Sequence, residues 1–229
     1  MGGFFETHFH TMEVSSCGRV PAAEGVRRYH AAGYDGIVVT DHYTEGFFGD
    51  MPADTSWRDK LDRYLTGWRA ARDAGGVLGM TVLLGLELRF AGSNNDYLAY
   101  GATPALLEAH PALYTLSPEV FSRFAKENGL WWAQAHPFRP GLTRCPPSCL
   151  DGLEVFNGNP RHDSHNGLAA AYAEEHGLTA IAGSDYHELP DLSGTGVRFH
   201  SEVTDNRTLL EGLRSGAFDI VRGAVPPIR

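Results

Sequence analysis

The chain has 229 residues, of which 42% are hydrophobic and 21% charged, a globular composition and not a disordered one. Its formal net charge of −9 argues against binding a nucleic-acid duplex, whose phosphates call for a cationic surface. No apolar run is long enough to span a bilayer, Met1–Glu6 lacks a signal-peptide pattern, and the 3 cysteines (Cys17, Cys145, Cys149) cannot build a disulfide framework; a cytoplasmic protein without a membrane partner is expected.

In chain order, short apolar runs alternate with helical patterns. Phe4–His8 reads as a strand, and Pro21–Ala32 as a helix with proline at its start and Gly33 as its stop. Gly36–Thr40 is a buried strand. Trp57–Ala74 is helical, capped by Ser56 or Thr55 and stopped by Gly75-Gly76. Met80–Glu87 and Asp96–Tyr100 are strands. Ser117-Pro118-Glu119 opens a helix ending at Gly129. Leu130–Ala135, Leu153–Phe156 and Thr179–Ala182 are strands, with a helix from His165 to His176 before the last. Val197–Phe199, a helix capped by Asn206, and Phe218–Val221 complete the pattern. Strand and helix in alternation predict an α/β barrel of parallel strands.

Residues able to bind metal cluster at the predicted strand ends: His8 and His10, Asp41 and His42, Glu87, His136, and Asp185 with His187. Parallel strands in a barrel bring their C-terminal ends to one face, where such folds place their active sites. His8-Phe9-His10 and Asp185-Tyr186-His187 have i, i+2 spacing, which sends both ligand side chains to one face of a strand and the aromatic residue to the other. Uncompensated carboxylates in a barrel mouth would repel one another, so the constellation predicts a multinuclear metal centre. Mixed imidazole and carboxylate ligands suit zinc, manganese or iron.

The ordered segments Glu6-Thr7-His8-Phe9-His10-Thr11, Val39-Thr40-Asp41-His42, Gly85-Leu86-Glu87, Ala135-His136-Pro137 and Gly183-Ser184-Asp185-Tyr186-His187 resemble the PHP (polymerase and histidinol phosphatase) superfamily. The resemblance implies a distorted (β/α)7 TIM-like barrel, a single domain over residues 1–229, a trinuclear site and phosphoesterase activity. By motif, His8 and His10 would hold one metal with Glu87 and Asp185. Glu87 would bridge to a second that His136 binds, and His42 and His187 would hold a third. The family has His or Asp shortly after His-x-His; here Glu13 is the expected substitute, with Cys17 as the alternative. Where the family has His before a Leu-Gly-Tyr stretch, this chain has Asp96, the expected further ligand.

The implied reaction is hydrolysis of a phosphomonoester or phosphodiester of a small phosphorylated substrate by a metal-activated hydroxide, with two or three divalent ions as cofactors. His8, His10, Glu87, Asp185 and His187 are the expected catalytic centre. Arg139, Asn157 and His162 are expected to contact substrate, Arg139 as a bidentate phosphate partner. Asp41, which precedes a ligand on a strand, is read as a supporting or helix-packing group, and Glu154 as an orienting one. Lys60 and Lys126, the only lysines, fall in predicted helices, which removes the modified lysine that bridges metals in barrel amidohydrolases. A protein-tyrosine phosphatase of the capsule-regulation type and a non-catalytic metal-binding PHP module are the alternatives. Nothing in the sequence speaks to oligomeric state.

Overall fold

A computed structural model of the chain describes residues 2–223. Its strands are β1 (Phe4–Phe9), β2 (Gly36–Val39), β3 (His42–Thr44), β4 (Thr81–Arg89), β5 (Asp96–Tyr100), β6 (Trp131–Gln134), β7 (Gly152–Asn157), β8 (Thr179–Gly183), β9 (Gly196–Phe199) and β10 (Phe218–Val221). They form a 10-stranded sheet in the order β10-β9-β1-β2-β4-β5-β6-β7-β8, with β3 extending the β2 line against β4. Past the end of β8, a bridge between Phe9 and Tyr186 joins β1 to the residues after β8 and nearly closes the sheet into a barrel. The Tyr186 amide donates to the His8 carbonyl at 3.1 Å and the His10 amide to the Tyr186 carbonyl at 3.0 Å, so this closure clamps two ligand-bearing segments together.

The expectation of a wholly parallel barrel needs correction. β5 runs antiparallel to both β4 and β6, and β9 runs antiparallel to β1 and β10. Residues 90–95 between β4 and β5 are too few for a helical crossover, which takes about a dozen, so the chain can only turn back on itself.

The helices are α1 (Ala22–Ala31), α2 (Glu45–Gly49), α3 (Trp57–Tyr64), α4 (Thr66–Leu78), α5 (Pro104–Ala109), α6 (Pro118–Glu127), α7 (Asn166–His176) and α8 (Asn206–Ser215). Ser56 caps α3 by accepting the Asp59 amide. The expected long helix from Trp57 breaks at Leu65, and α4 runs through Gly75-Gly76 to a left-handed Gly79. At the other chain end Asp205, and not Asn206, caps α8.

Packing of two helices positions the site. Phe9 and Tyr186, the residues between the paired ligands, stack at 5.0 Å and pack with Tyr29 of α1. Each is fully buried, a burial that contributes roughly 1.5–3 kcal/mol per large side chain. A Cβ at Gly67, near the start of α4, would stand 2.0 Å from Thr11 Oγ1 and 2.8 Å from Asp41 Oδ2. Glycine at this position lets α4 close against the segments that follow His10 and precede His42.

Candidate metal centre

β1 carries Glu6, His8 and the start of the turn to His10 on one face, all buried. β4 supplies Glu87 and Arg89, two residues apart, and β5 brings Asp96 opposite Arg89 in register. His136 and Asp185 follow β6 and β8, and both adopt positive φ, +31° and +54° respectively. Left-handed backbone is costly for non-glycine residues and persists where surrounding structure holds it, commonly at functional sites.

The ligand atoms converge. One atom each from His8, His10, Glu87 and Asp185 lie within 4.8 Å of one another, as do atoms of His10, His42 and His187, and of His42, Glu87 and Asp96. His8 Nε2 stands 3.0 Å from Glu87 Oε1 and 3.3 Å from Asp185 Oδ1. His10 Nε2 stands 3.3 Å from Glu87 Oε2, and His136 Nε2 is 3.2 Å from Glu87 Oε1. Yet His8 Nε2, His10 Nε2 and Glu87 Oε2 are buried without an aligned hydrogen bond. Buried polar atoms are normally paired, and atoms crowded about a common point without alignment fit a shared cation.

Supporting bonds fix the rings. His8 Nδ1 meets Glu154 Oε1 at 2.8 Å, which turns Nε2 toward Glu87 and Asp185. Glu154 Oε2 accepts the His136 amide at 2.9 Å and Asn157 Nδ2 at 3.0 Å. His10 Nδ1 meets Ser15 Oγ at 3.1 Å, and Ser15 in turn donates to Asp41 Oδ1. Asp41 also accepts the Thr11 amide and hydroxyl, both at 2.7 Å, which is the supporting role expected of it. His187 Nδ1 donates to the Asp185 carbonyl, leaving Nε2 for the site. A hydrogen bond on one ring nitrogen sets which nitrogen remains to bind metal.

The charges balance as metal-free ligands would. Burial pushes the Glu87 carboxyl up, but His42, His8 and His10 outweigh it and hold the group well below the usual range. Burial likewise opposes ionisation of Asp185, and His8, His10 and Arg139 overcome it. Burial disfavours a charged His8, but Asp185, Glu154 and Glu87 carry its pKa well above the ordinary value. Burial and the neighbouring His187 drive His10 the other way. The Cys17 thiol, disfavoured as thiolate by burial, is pulled down to about 6 by hydrogen bonds to His187 and His42.

Several expected residues fall elsewhere. Glu13 is not at the cluster: both its carboxylate oxygens accept the Ala22 amide, at 3.1 and 3.0 Å, and so serve the start of α1. Cys17, the alternative, has Sγ 3.2 Å from His42 Nε2. Asp96 does reach the cluster, with both carboxylate oxygens held by Arg89 at 2.7 and 2.8 Å. Asn157 is buried and bonds Glu154, Asp185 and Arg139. Arg139 and His162 line the chamber over the ligands. Arg139 pairs with Asp185 and donates through Nε to Ser164. Lys60 and Lys126 lie in α3 and α6 as expected.

Sequence reasoning missed Arg89 and Arg161, both of which line the chamber. Arg89 carried a signal, two residues beyond Glu87 on the same strand. Arg161 carried none; it is held by a pair with Asp191, whose carboxylate also accepts the His187 amide.

Comparison with known proteins fits this geometry. Residues 163–218 match the PHP-associated family, PHP_C. No curated protein sequence matches the chain. Among solved structures, the chain is similar to a two-domain protein from Bacteroides vulgatus that contains a predicted PHP-like metal-dependent phosphoesterase, with TM-score 0.70, 19% identity and coverage of 97% of this chain and 65% of that one. PsfC from Pseudomonas syringae gives TM-score 0.67 at 17% identity, covering 97% of this chain and 92% of the other. The lesion-specific endonuclease Q of Pyrococcus furiosus gives TM-score 0.60 at 13% identity, covering 96% of this chain and 58% of that enzyme. At these identities the likeness is one of fold, and the chain spans less than two thirds of the first and third of these proteins.

The nearly closed sheet with a histidine and carboxylate cluster fits the distorted TIM-like barrel that the resemblance implies. The match over 163–218 and the shared fold support the resemblance of the ordered motifs to the PHP superfamily.

Proposed function

We propose that this protein is a metal-dependent phosphoesterase acting on a small phosphorylated substrate, with two or three divalent ions of zinc, manganese or iron. The carrying observation is the set of buried, unaligned ligand atoms, His8 Nε2, His10 Nε2 and Glu87 Oε2, gathered beside arginines.

His8, His10, Glu87 and Asp185 would hold one ion, with Glu87 shared toward His136, His42 and Asp96. His42 and His187, with Cys17 in place of Glu13, would hold another. Bound there, divalent ions supply an acidified water at neutral pH and offset charge on phosphoryl oxygens. The chain does the rest. Arg161 and Arg139 flank the chamber and orient the phosphoryl group by charge-assisted hydrogen bonds. His162 has its pKa lowered, first by burial and then by Arg139, which favours the neutral ring as a hydrogen-bond partner for an ester oxygen.

Endonuclease Q has been seen with a duplex whose abasic lesion lies at its active site. The net charge of −9 here favours a small ester over such a duplex. Metal-loaded protein tested against phosphomonoesters, phosphodiesters and a lesion-bearing duplex checks the reading. Turnover of small esters supports it, and cleavage of the duplex alone contradicts it.

A further inference from the structure

The cluster opens onto two unequal spaces. The chamber over the ligands holds about 200 Å³ and is lined largely by charged side chains. Beside it lies a cleft of about 850 Å³, bordered by the turn after His10 and by α2. The two share Cys17, His42 and Arg89, so the cleft is continuous with the metal site. Its volume is that of a site for a ring-bearing organic group, well beyond what a phosphoryl group needs.

The walls differ in chemistry. Val14, Phe47, Met51 and Pro52 give an apolar side. Arg63 and Arg89 line the same cleft. Arg89 uses Nε and Nη2 on Asp96, and its Nη1 makes no hydrogen bond among the described residues. Arg63 uses Nη1 on the Glu13 carbonyl and on Thr66, which fixes the guanidinium while its outer edge stays exposed. Of the acidic groups lining the cleft, Glu13 is occupied at the start of α1, which leaves Asp50 as the opposing charge.

Resting on the phosphoesterase reading, we propose that this cleft receives the leaving alcohol of the ester and selects one that bears a flat apolar ring and a second anionic group. The ring lies against Phe47, Met51 and Pro52. The anion takes the outer edge of Arg63 and Nη1 of Arg89. With the phosphoryl group over the metal ligands, Cys17 and His42 mark the passage between the two spaces.

Non-hydrolysable phosphonates separate the cleft from catalysis. Methylphosphonate, benzylphosphonate and 4-carboxybenzylphosphonate are titrated by calorimetry into manganese-loaded protein. Affinity should rise about tenfold with the ring and about tenfold again with the carboxylate. Phe47→Ala should flatten the first ratio and Arg63→Met the second. Equal affinity for the three phosphonates, or both ratios intact in both variants, overturns the proposal. The matching phosphate esters are then assayed for hydrolysis. If the phosphonates rank as stated and no ester is turned over, the cleft stands and the phosphoesterase reading falls. If esters are turned over and the phosphonates bind alike, the cleft falls and the reading stands.

Discussion

Glu154 stands one hydrogen bond behind His8: its Oε1 meets His8 Nδ1 at 2.8 Å, while its Oε2 accepts the His136 amide at 2.9 Å. One buried carboxylate thus orients a ligand ring from β1 and the backbone of a ligand after β6. Glu154→Ala should weaken metal binding by about 10–100-fold, the usual effect of losing such a partner. Glu154→Gln keeps an acceptor oxygen and the side-chain shape, and should lose less. Competitive titration with a chromogenic chelator measures both. An unchanged affinity in Glu154→Ala would mean that His8 is held by packing alone.

Cys17 next to His42 makes a spectroscopic prediction. Cobalt-loaded protein should show a thiolate-to-cobalt charge-transfer band in the near ultraviolet, and Cys17→Ser should abolish it while Glu13→Gln leaves it in place. A band that survives Cys17→Ser, or no band in the parent chain, removes Cys17 from the ligand set.

Asp96 is held by Arg89 through both oxygens, so its negative charge is already matched. Each oxygen keeps a lone pair for a metal. Asp96→Ala should cost the protein one metal equivalent. Asp96→His should shift preference from manganese or iron toward zinc, because nitrogen is a softer ligand than carboxylate oxygen. Full metal content in Asp96→Ala would confine Asp96 to pairing with Arg89.

The raised pKa values of His8 and His42 set the sign of a pH effect. Burial opposes charge on both rings; carboxylates outweigh it for His8, and Glu87 with Cys17 for His42. Both rings therefore favour the protonated form in the metal-free protein, and metal competes with their protons. Binding should release protons, and affinity should rise with pH. Calorimetry in buffers of different ionisation enthalpy reads the proton count directly. A heat independent of buffer would contradict protonation of these two rings.

Much of this centre is legible from strand periodicity. The i, i+2 spacing places His8 with His10 at the end of β1, and Phe9 and Tyr186 do stack on the opposite side, but Asp185 and His187 lie past the end of β8, with Asp185 in left-handed backbone. The antiparallel turn at β5 has a trace in the sequence too, in the shortness of residues 90–95. Glu154 carries a signal in being a carboxylate inside the apolar run Leu153–Val155, where an ion needs a partner. The choice between Glu13 and Cys17 is not legible, since both lie in a turn without periodicity. What settles their places is the start of α1, whose free Ala22 amide draws Glu13 away. Asn157 ends a strand at the mouth and so reads as available to substrate, but four polar neighbours bond its side chain. Arg139 and Asp185 come from distant segments, and local pattern does not report them.

The central claim is that clustered metal ions at His8, His10, Glu87 and Asp185 drive phosphoester hydrolysis. The most direct measurement is a titration of chelated, metal-free protein with manganese, following turnover of benzyl phosphate against bound metal determined by elemental analysis. Activity should be absent in the metal-free protein, saturate between two and three equivalents, and stay absent in Asp185→Ala at the same added metal. Full turnover in the metal-free protein, or saturation at or below one equivalent, would contradict the account.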